Sequence, residues 1–238
     1  MLRVTTILAL LAGLQVPAAQ AGEIFMFSHE SGLSAVAEFS LLNETTLDVR
    51  LQNTSTGAPV TFAAADQLLT GVSWDFGQPG NKSGDPRISG GGVRIGGASH
   101  SLEFDAGEFG PGADVSGEFG YGNAGGSGML TNFISATGGR ATRFAGANLD
   151  GPLALNGPQG GLAALPAVLP LGGLGAIQNE IVATLTLTRP VTSLTFLQAN
   201  SVRVEFGSDA KFITVPEPVV LAALLAPSLI WLRRWASR

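Results

Sequence analysis

The sequence predicts an all-β protein: a single β-sandwich over residues 22–214, jelly-roll or immunoglobulin-like, with glycine-rich loops. Three observations carry this. Several short stretches alternate apolar and polar residues with a period of two, the signature of half-buried strands. Roughly eight such strands are expected, with almost no helix. Glycine, at 33 of 238 residues, clusters between Gly77 and Gly175 without a collagen period, so it marks turns and loops. The chain has no cysteine. With no disulfide available, a body of this length must rest on a packed core, which it is long enough to bury.

The elements follow in order. Glu23 to His29 reads as a short strand. Leu33, Ala35, Ala37, Phe39 and Leu41 fall on one parity, and Asn43-Glu44 supplies a turn. Leu47, Val49 and Leu51 then alternate with Thr46, Asp48, Arg50 and Gln52, which predicts a hairpin with the preceding strand. Asn53 to Pro59 is polar and turn-rich, and Thr61 to Ala65 fits either a strand or a helical turn. Leu68, Thr70, Val72, Trp74 and Phe76 are expected to share a buried face. Periodicity is lost from Gly77 to Gly92, with short strands expected at Val93 to Ile95 and Ser101 to Asp105. Residues 107–128 defy assignment, and 151–171 reads as a long loop with one helical turn near Leu162 to Leu165. Such a loop is uncommon inside a compact domain. Ile181, Ala183, Leu185 and Leu187 alternate with β-branched Val182, Thr184, Thr186 and Thr188, a strand ended by Arg189-Pro190. Leu194 with Phe196, and Val202, Val204 and Phe206, give two more strands before Gly207 to Thr214 tapers into a linker.

Both ends of the chain have a different character from this body. Met1 to Ala21 combines a basic Arg3, an apolar stretch from Ile7 to Leu14, Pro17 and the small-x-small triplet Ala19-Gln20-Ala21. This is the pattern of a secretory signal peptide cut after Ala21, so that Gly22 begins the mature chain and signal peptidase and the general secretion machinery are partners. At the other end, Val219 to Leu232 is uncharged and followed by Arg233, Arg234 and Arg238. Those arginines favour the cytoplasmic side, which places everything before Pro218 outside. Fourteen residues of helix cover about 21 Å, short of the roughly 30 Å hydrocarbon core, which suits a temporary anchor in the inner membrane better than a permanent span. Pro216 and Pro218 hold the chain extended just outside that anchor, with Glu217 as the charge between them.

Pro216-Glu217-Pro218, a short apolar helix over 219–232 and the Arg233-Arg234 cluster resemble, in that order and at the very end, the PEP-CTERM sorting signal. That signal belongs to exosortase-dependent surface proteins of Gram-negative bacteria that make exopolysaccharide. The resemblance covers residues 215–238. It implies that Pro216, Glu217 and Pro218 are the recognition motif, that Arg233 and Arg234 are the cytoplasmic stop, and that an exosortase cuts near the motif and passes the body outward. Leu47 to Ser55, Leu69 to Phe76, Ile177 to Val182 and Val202 to Gly207 are, more loosely, similar to a recurrent ectodomain of the same proteins. No activity is implied by that similarity.

Charge narrows the partners. Setting aside Arg3 and the three terminal arginines leaves 9 of the 13 basic residues, and setting aside Glu217 leaves 17 of the 18 acidic ones, so the body carries about −8. An acidic body repels phosphate, which argues against nucleic acid as partner. The chemical motifs have blander readings. Gly120-Tyr121-Gly122-Asn123-Ala124-Gly125 matches the dinucleotide fingerprint by letter, but that motif needs a preceding strand and a helix opening at its last glycine. His29 and His100 are far apart in sequence and have no cysteine to complete a soft metal site. No Gly-x-Ser-x-Gly elbow is present. Glu103, Asp105, Glu108, Asp114 and Glu118 have the oxygen chemistry of a calcium site, yet Glu103 and Asp105 alternate with Leu102 and Phe104 as on a solvated strand face. Asn43, Asn53 and Asn81 satisfy the glycosylation pattern, which polar loop composition also explains. Trp74 and Tyr121 have the chemistry to stack on sugars, but Trp74 lies on the apolar parity of its strand.

The expectation is therefore an exported, non-catalytic protein of the cell surface or extracellular matrix, with no cofactor and exopolysaccharide as a candidate partner. A carbohydrate-binding β-sandwich module is the alternative, and a secreted hydrolase stands behind it. The first alternative requires several exposed aromatics on one face. The second requires a convergent carboxylate pair or a histidine dyad in a pocket.

Overall fold

Alternating residues become strands wherever one side of the backbone meets water and the other meets the core. The computed structural model describes residues 22–55, 67–77, 84–102, 109–123, 129–137, 161–164, 175–197, 199–207 and 211–214. Among them lie strands β1 (Glu23–Ser28), β2 (Ser34–Asn43), β3 (Thr46–Asn53), β4 (Leu69–Trp74), β5 (Ile88–Ile95), β6 (Ser101–Leu102), β7 (Gly120–Gly122), β8 (Asn132–Ser135), β9 (Leu162–Ala163), β10 (Ala176–Gln178), β11 (Glu180–Leu187), β12 (Val202–Phe206) and β13 (Lys211–Thr214). The helical elements among the described residues are two 3-10 turns, Ser116–Glu118 and Ala199–Ser201. The structure is thus all-β, and its strands form two sheets. No described helix is long and apolar enough to cross a membrane, and the expected span over 219–232 lies outside the described residues.

The five-stranded sheet runs β1-β2-β3-β11-β5, antiparallel throughout. Its three best strands are those with the cleanest alternation. Ala35, Ala37, Phe39 and Leu41 of β2 are buried, as are Leu47, Val49 and Leu51 of β3 and Ile181, Ala183, Leu185 and Leu187 of β11. The expected β2–β3 hairpin forms, closed at Asn43, whose side-chain oxygen accepts the Thr45 N–H at 2.9 Å. β5 begins earlier than the expected Val93, at Ile88. Ser89-Gly90-Gly91-Gly92 offers no apolar alternation, and β11 recruits it through cross-strand pairing instead. Gly91 sits at φ +153°, and a Cβ there would collide with the Thr184 carbonyl. Close backbone approach, not turn formation, explains that glycine.

The second sheet has eight strands, ordered β13-β12-β4-β9-β10-β6, with β8 pairing β4 and β7 pairing β8. β4 divides one edge between two partners: Leu69 pairs Leu162 of β9, and Gly71 to Trp74 pair β8. Expectations fail most often in this sheet. Leu68 and Thr70 were expected on the core face with Val72 and Trp74. The ladder with β12 shifts between Glu205 and Phe206, so Leu69 takes the core position and Leu68 packs with Ala163 and Ala176 instead. The Thr70 hydroxyl donates to the carbonyls of Gly207 at 2.8 Å and Glu205 at 3.2 Å. The expected helical turn near Leu162 is extended and paired in β9, and Lys211–Thr214, read as linker, is β13. The expected strand at Leu194 and Phe196 is a turn, held by Leu197 N–H donating to the Leu194 carbonyl at 2.9 Å.

Side chains from both sheets enter one apolar cluster. Along its middle runs an aromatic chain: Phe25 meets Phe39, Phe39 meets Trp74 edge-on at 5.4 Å and 71°, Trp74 meets Phe76, and Phe76 meets Phe196. The Phe39–Trp74 contact joins β2 of one sheet to β4 of the other. Edge-to-face geometry adds about 0.5–1.5 kcal/mol per pair to what burial alone provides.

Candidate functional site

The residues expected to direct sorting and processing, Ala19, Ala21, Pro216, Glu217, Pro218, Arg233 and Arg234, lie outside the described residues. Their attachment points do not. Gly22 leads directly into β1, and Thr214 ends β13. β1 is the terminal strand of the five-stranded sheet and β13 that of the eight-stranded sheet, and the two lie next to each other. The strands nearest the two ends of the body therefore lie beside each other.

On the outward face of the five-stranded sheet the register assembles a charged row. Glu38 pairs Arg50, Arg50 pairs Val182, and Val182 pairs Arg94. Arg50 donates to Glu180 at 2.6 Å and to Glu38 at 3.4 Å. The partners differ in environment: the Glu180 side chain is 5% exposed and that of Arg50 48%. The hydrogen bond to Glu180 raises the Arg50 pKa further above its ordinary value, with Glu38 adding to the effect and burial opposing it. Arg50 therefore stays cationic, which makes it a clamp and not a proton donor. Gly96 and Gly97 close over the Glu180 carboxylate, where a Cβ on either would crowd its oxygens. Further along, Asp114 bridges to Arg94 through the backbone and accepts from the Ser116 hydroxyl at 2.6 Å and the Ser116 N–H at 2.9 Å. Those two bonds hold its carboxyl below the usual carboxylate range, with Arg94 assisting. Cross-strand register was the missing information here: Arg50 and Glu180 are 130 positions apart in sequence.

The remaining sequence candidates fall into structural roles. Trp74 is fully buried in the aromatic chain, as its parity predicts, so it presents no sugar-stacking surface. Tyr121 is partly buried against the same core. Gly120 to Gly122 of the dinucleotide-like stretch form β7 against β8, with the Phe133 ring occupying the space a Gly122 side chain would need. That is a strand, not the phosphate-cradling turn the motif requires. Asn53 is 1% exposed, donates to the Leu162 carbonyl at 2.7 Å and accepts the Ser55 N–H at 3.1 Å. Its amide ties β3 to β9 and is not presented as a glycan acceptor. His29 lies in the β1–β2 turn, its Nδ1 2.7 Å from the Ser31 hydroxyl, and His100 precedes β6. Glu103, Asp105 and Glu108 lie outside the described residues. Among those described, no three acidic, histidine or cysteine side chains stand together as a metal site.

Besides Glu180, two buried carboxylates were not anticipated. Asp75 follows β4 and accepts the Thr131 N–H at 2.9 Å. Glu205 of β12 accepts the Ser135 hydroxyl at 3.2 Å, tying β12 to β8 across β4. Both tie strands or loops together through hydrogen bonds, a structural use of acid groups. Compared with known proteins, this chain matches no family model, no curated protein and no solved structure.

Proposed function

We propose that the chain is an exported surface or extracellular-matrix protein of an exopolysaccharide-producing bacterium, delivered by an N-terminal signal peptide and a C-terminal signal that an exosortase processes. Its body, a β-sandwich in which two sheets share one core, acts as a non-catalytic structural or interaction module. The observation that carries this reading is the order Pro216-Glu217-Pro218, apolar 219–232, Arg233-Arg234 at the end of a chain that opens with a signal-peptide pattern. The fold supports it in one respect. The described strands of the body begin at Glu23 and end at Thr214, so both processing segments attach outside the described ladders. Cutting at either place removes none of the described strands. The chain is held transiently in the inner membrane and then released to the surface or medium.

Variants of the tail test this in a host carrying the sorting enzyme. Replacing Pro216, Glu217 and Pro218 together by alanine leaves the protein uncut in the membrane fraction. Replacing Arg233 and Arg234 by serine lets the tail slip through the membrane and also blocks cutting. Unchanged release of a shortened protein from both variants would refute the assignment.

A further inference from the structure

The two edges of the five-stranded sheet are treated differently. β5 is covered: Val115 N–H and Gly112 N–H donate to the carbonyls of Val93 and Ile95, Ile95 N–H donates to the Ala113 carbonyl, and the Asn123 side chain bonds both N–H and C=O of Ile88. β1 has no such cover among the described residues. Its neighbour β13 pairs only with β12.

The hairpin fixes which backbone groups of β1 are free. His29 N–H donates to the Leu33 carbonyl and Gly32 N–H to the His29 carbonyl, with Gly32 at φ +87°, so His29–Leu33 is a hydrogen-bonded pair. Antiparallel pairs alternate. Phe27–Ala35 and Phe25–Ala37 are then the bonded pairs with β2, and Ile24, Met26 and Ser28 aim their N–H and C=O groups away from the sheet. The same three residues face outward, with Ile24 56% and Met26 64% exposed. No bulge, proline or lysine interrupts the run, which lacks the devices that normally keep an edge from pairing.

We propose that this edge is a self-association strand whose partner is β1 of a second copy of the chain. A two-fold axis at Met26 sets Met26 against its counterpart and Ile24 against Ser28, each a pair of free backbone groups that can exchange two hydrogen bonds. The same register places Phe25 across from Phe27 and Glu23 across from His29, so the ladder is complementary to itself in backbone bonding and sets no like charges opposite one another. An acidic body of about −8 opposes association elsewhere on its surface. β1 between Ile24 and Ser28 carries no charge. Two five-stranded sheets joined in this way form one continuous sheet.

The cysteine-free chain gives a direct test. Met26→Cys puts one thiol per full-length chain at an exposed position, and in the two-fold register the facing Cα atoms lie about 5.5 Å apart, within disulfide reach. Mild oxidation should convert most of Met26→Cys to a disulfide dimer and leave Ser89→Cys, on the covered β5 edge, at background. Mixing Ile24→Cys with Ser28→Cys chains should give the cross-linked heterodimer, which a register centred on Phe25 would not. Met26→Lys should run as a monomer at concentrations where the parent chain dimerises. Cross-linking no greater at Met26 than at Ser89, or dimers of Met26→Lys as abundant as the parent's, would overturn the proposal. Neither readout requires tail processing, so a failure here is distinct from a failure of the sorting assignment.

Discussion

The five-stranded and eight-stranded sheets solve the same packing problem under different constraints. In the first, one face meets the core and the other water, so β2, β3 and β11 alternate along most of their length, and β2, β3 and β5 carry Glu38, Arg50 and Arg94 on the wet side. In the second, β4 and β8 are buried on both faces. Alternation has no purpose there, and polar groups such as Thr70, Ser135 and Glu205 sit inside, held by hydrogen bonds where a wet face would have solvated them. The comparison teaches that a half-exposed sheet is specified by hydrophobic pattern and a fully covered one by register and buried polar contacts.

The largest expected effect comes from the contact joining the two sheets. Trp74→Ala removes the centre of the aromatic chain and should cost about 3–5 kcal/mol of stability in denaturant titration. Both sheets should lose hydrogen-exchange protection together. Loss in β4 alone would mean that the sheets are less coupled than their common core indicates.

Confined effects are expected within the five-stranded sheet. Gly91→Ala forces a side chain into the Thr184 carbonyl from an unfavourable φ and should cost about 1–3 kcal/mol, loosening β5–β11 amides before those of β4. Arg50→Ala leaves the buried Glu180 carboxylate without its cation. Because Arg50 is half exposed and water replaces part of the bond, the expected cost is about 1 kcal/mol. The smallest effect is at Asp114. Its folded pKa is depressed, so its contribution is present at neutral pH and is lost as pH falls below the ordinary value of about 3.8 and through the depressed one. Asp114 is largely solvated, so Asp114→Asn should cost only a few tenths of a kcal/mol at pH 7. The difference from the parent should vanish in acid, as read by paired thermal melts.

The same contrast explains what could be read from the chain. β2, β3, β11 and β12 were legible because Leu47-Asp48-Val49-Arg50-Leu51 and its counterparts record a wet and a dry side. β7, β8, β9 and β10 were not. Gly120-Tyr121-Gly122 and Leu162-Ala163 are too short to show a period, and each is defined as a strand by the partner it pairs with. The Leu68–Thr70 parity failed for a related reason, since one shift at Glu205–Phe206 moves the inward position to Leu69. Of the candidate sites, the buried role of Trp74 followed from parity, whereas Asn53, read as the start of a polar loop, is buried at the end of β3. The Arg50–Glu180 clamp and the free edge of β1 required knowing which strands are neighbours.

The account rests on a body that keeps all its strands between Gly22 and Thr214 while both ends are removed. Intact-mass measurement of the protein recovered from the surface or medium of a host carrying the sorting enzyme tests this most directly. The account predicts a species that begins at Gly22 and lacks the arginine tail, and a longer one retaining Arg238 when the sorting enzyme is deleted. A released protein that still carries Arg238 in the competent host would contradict it.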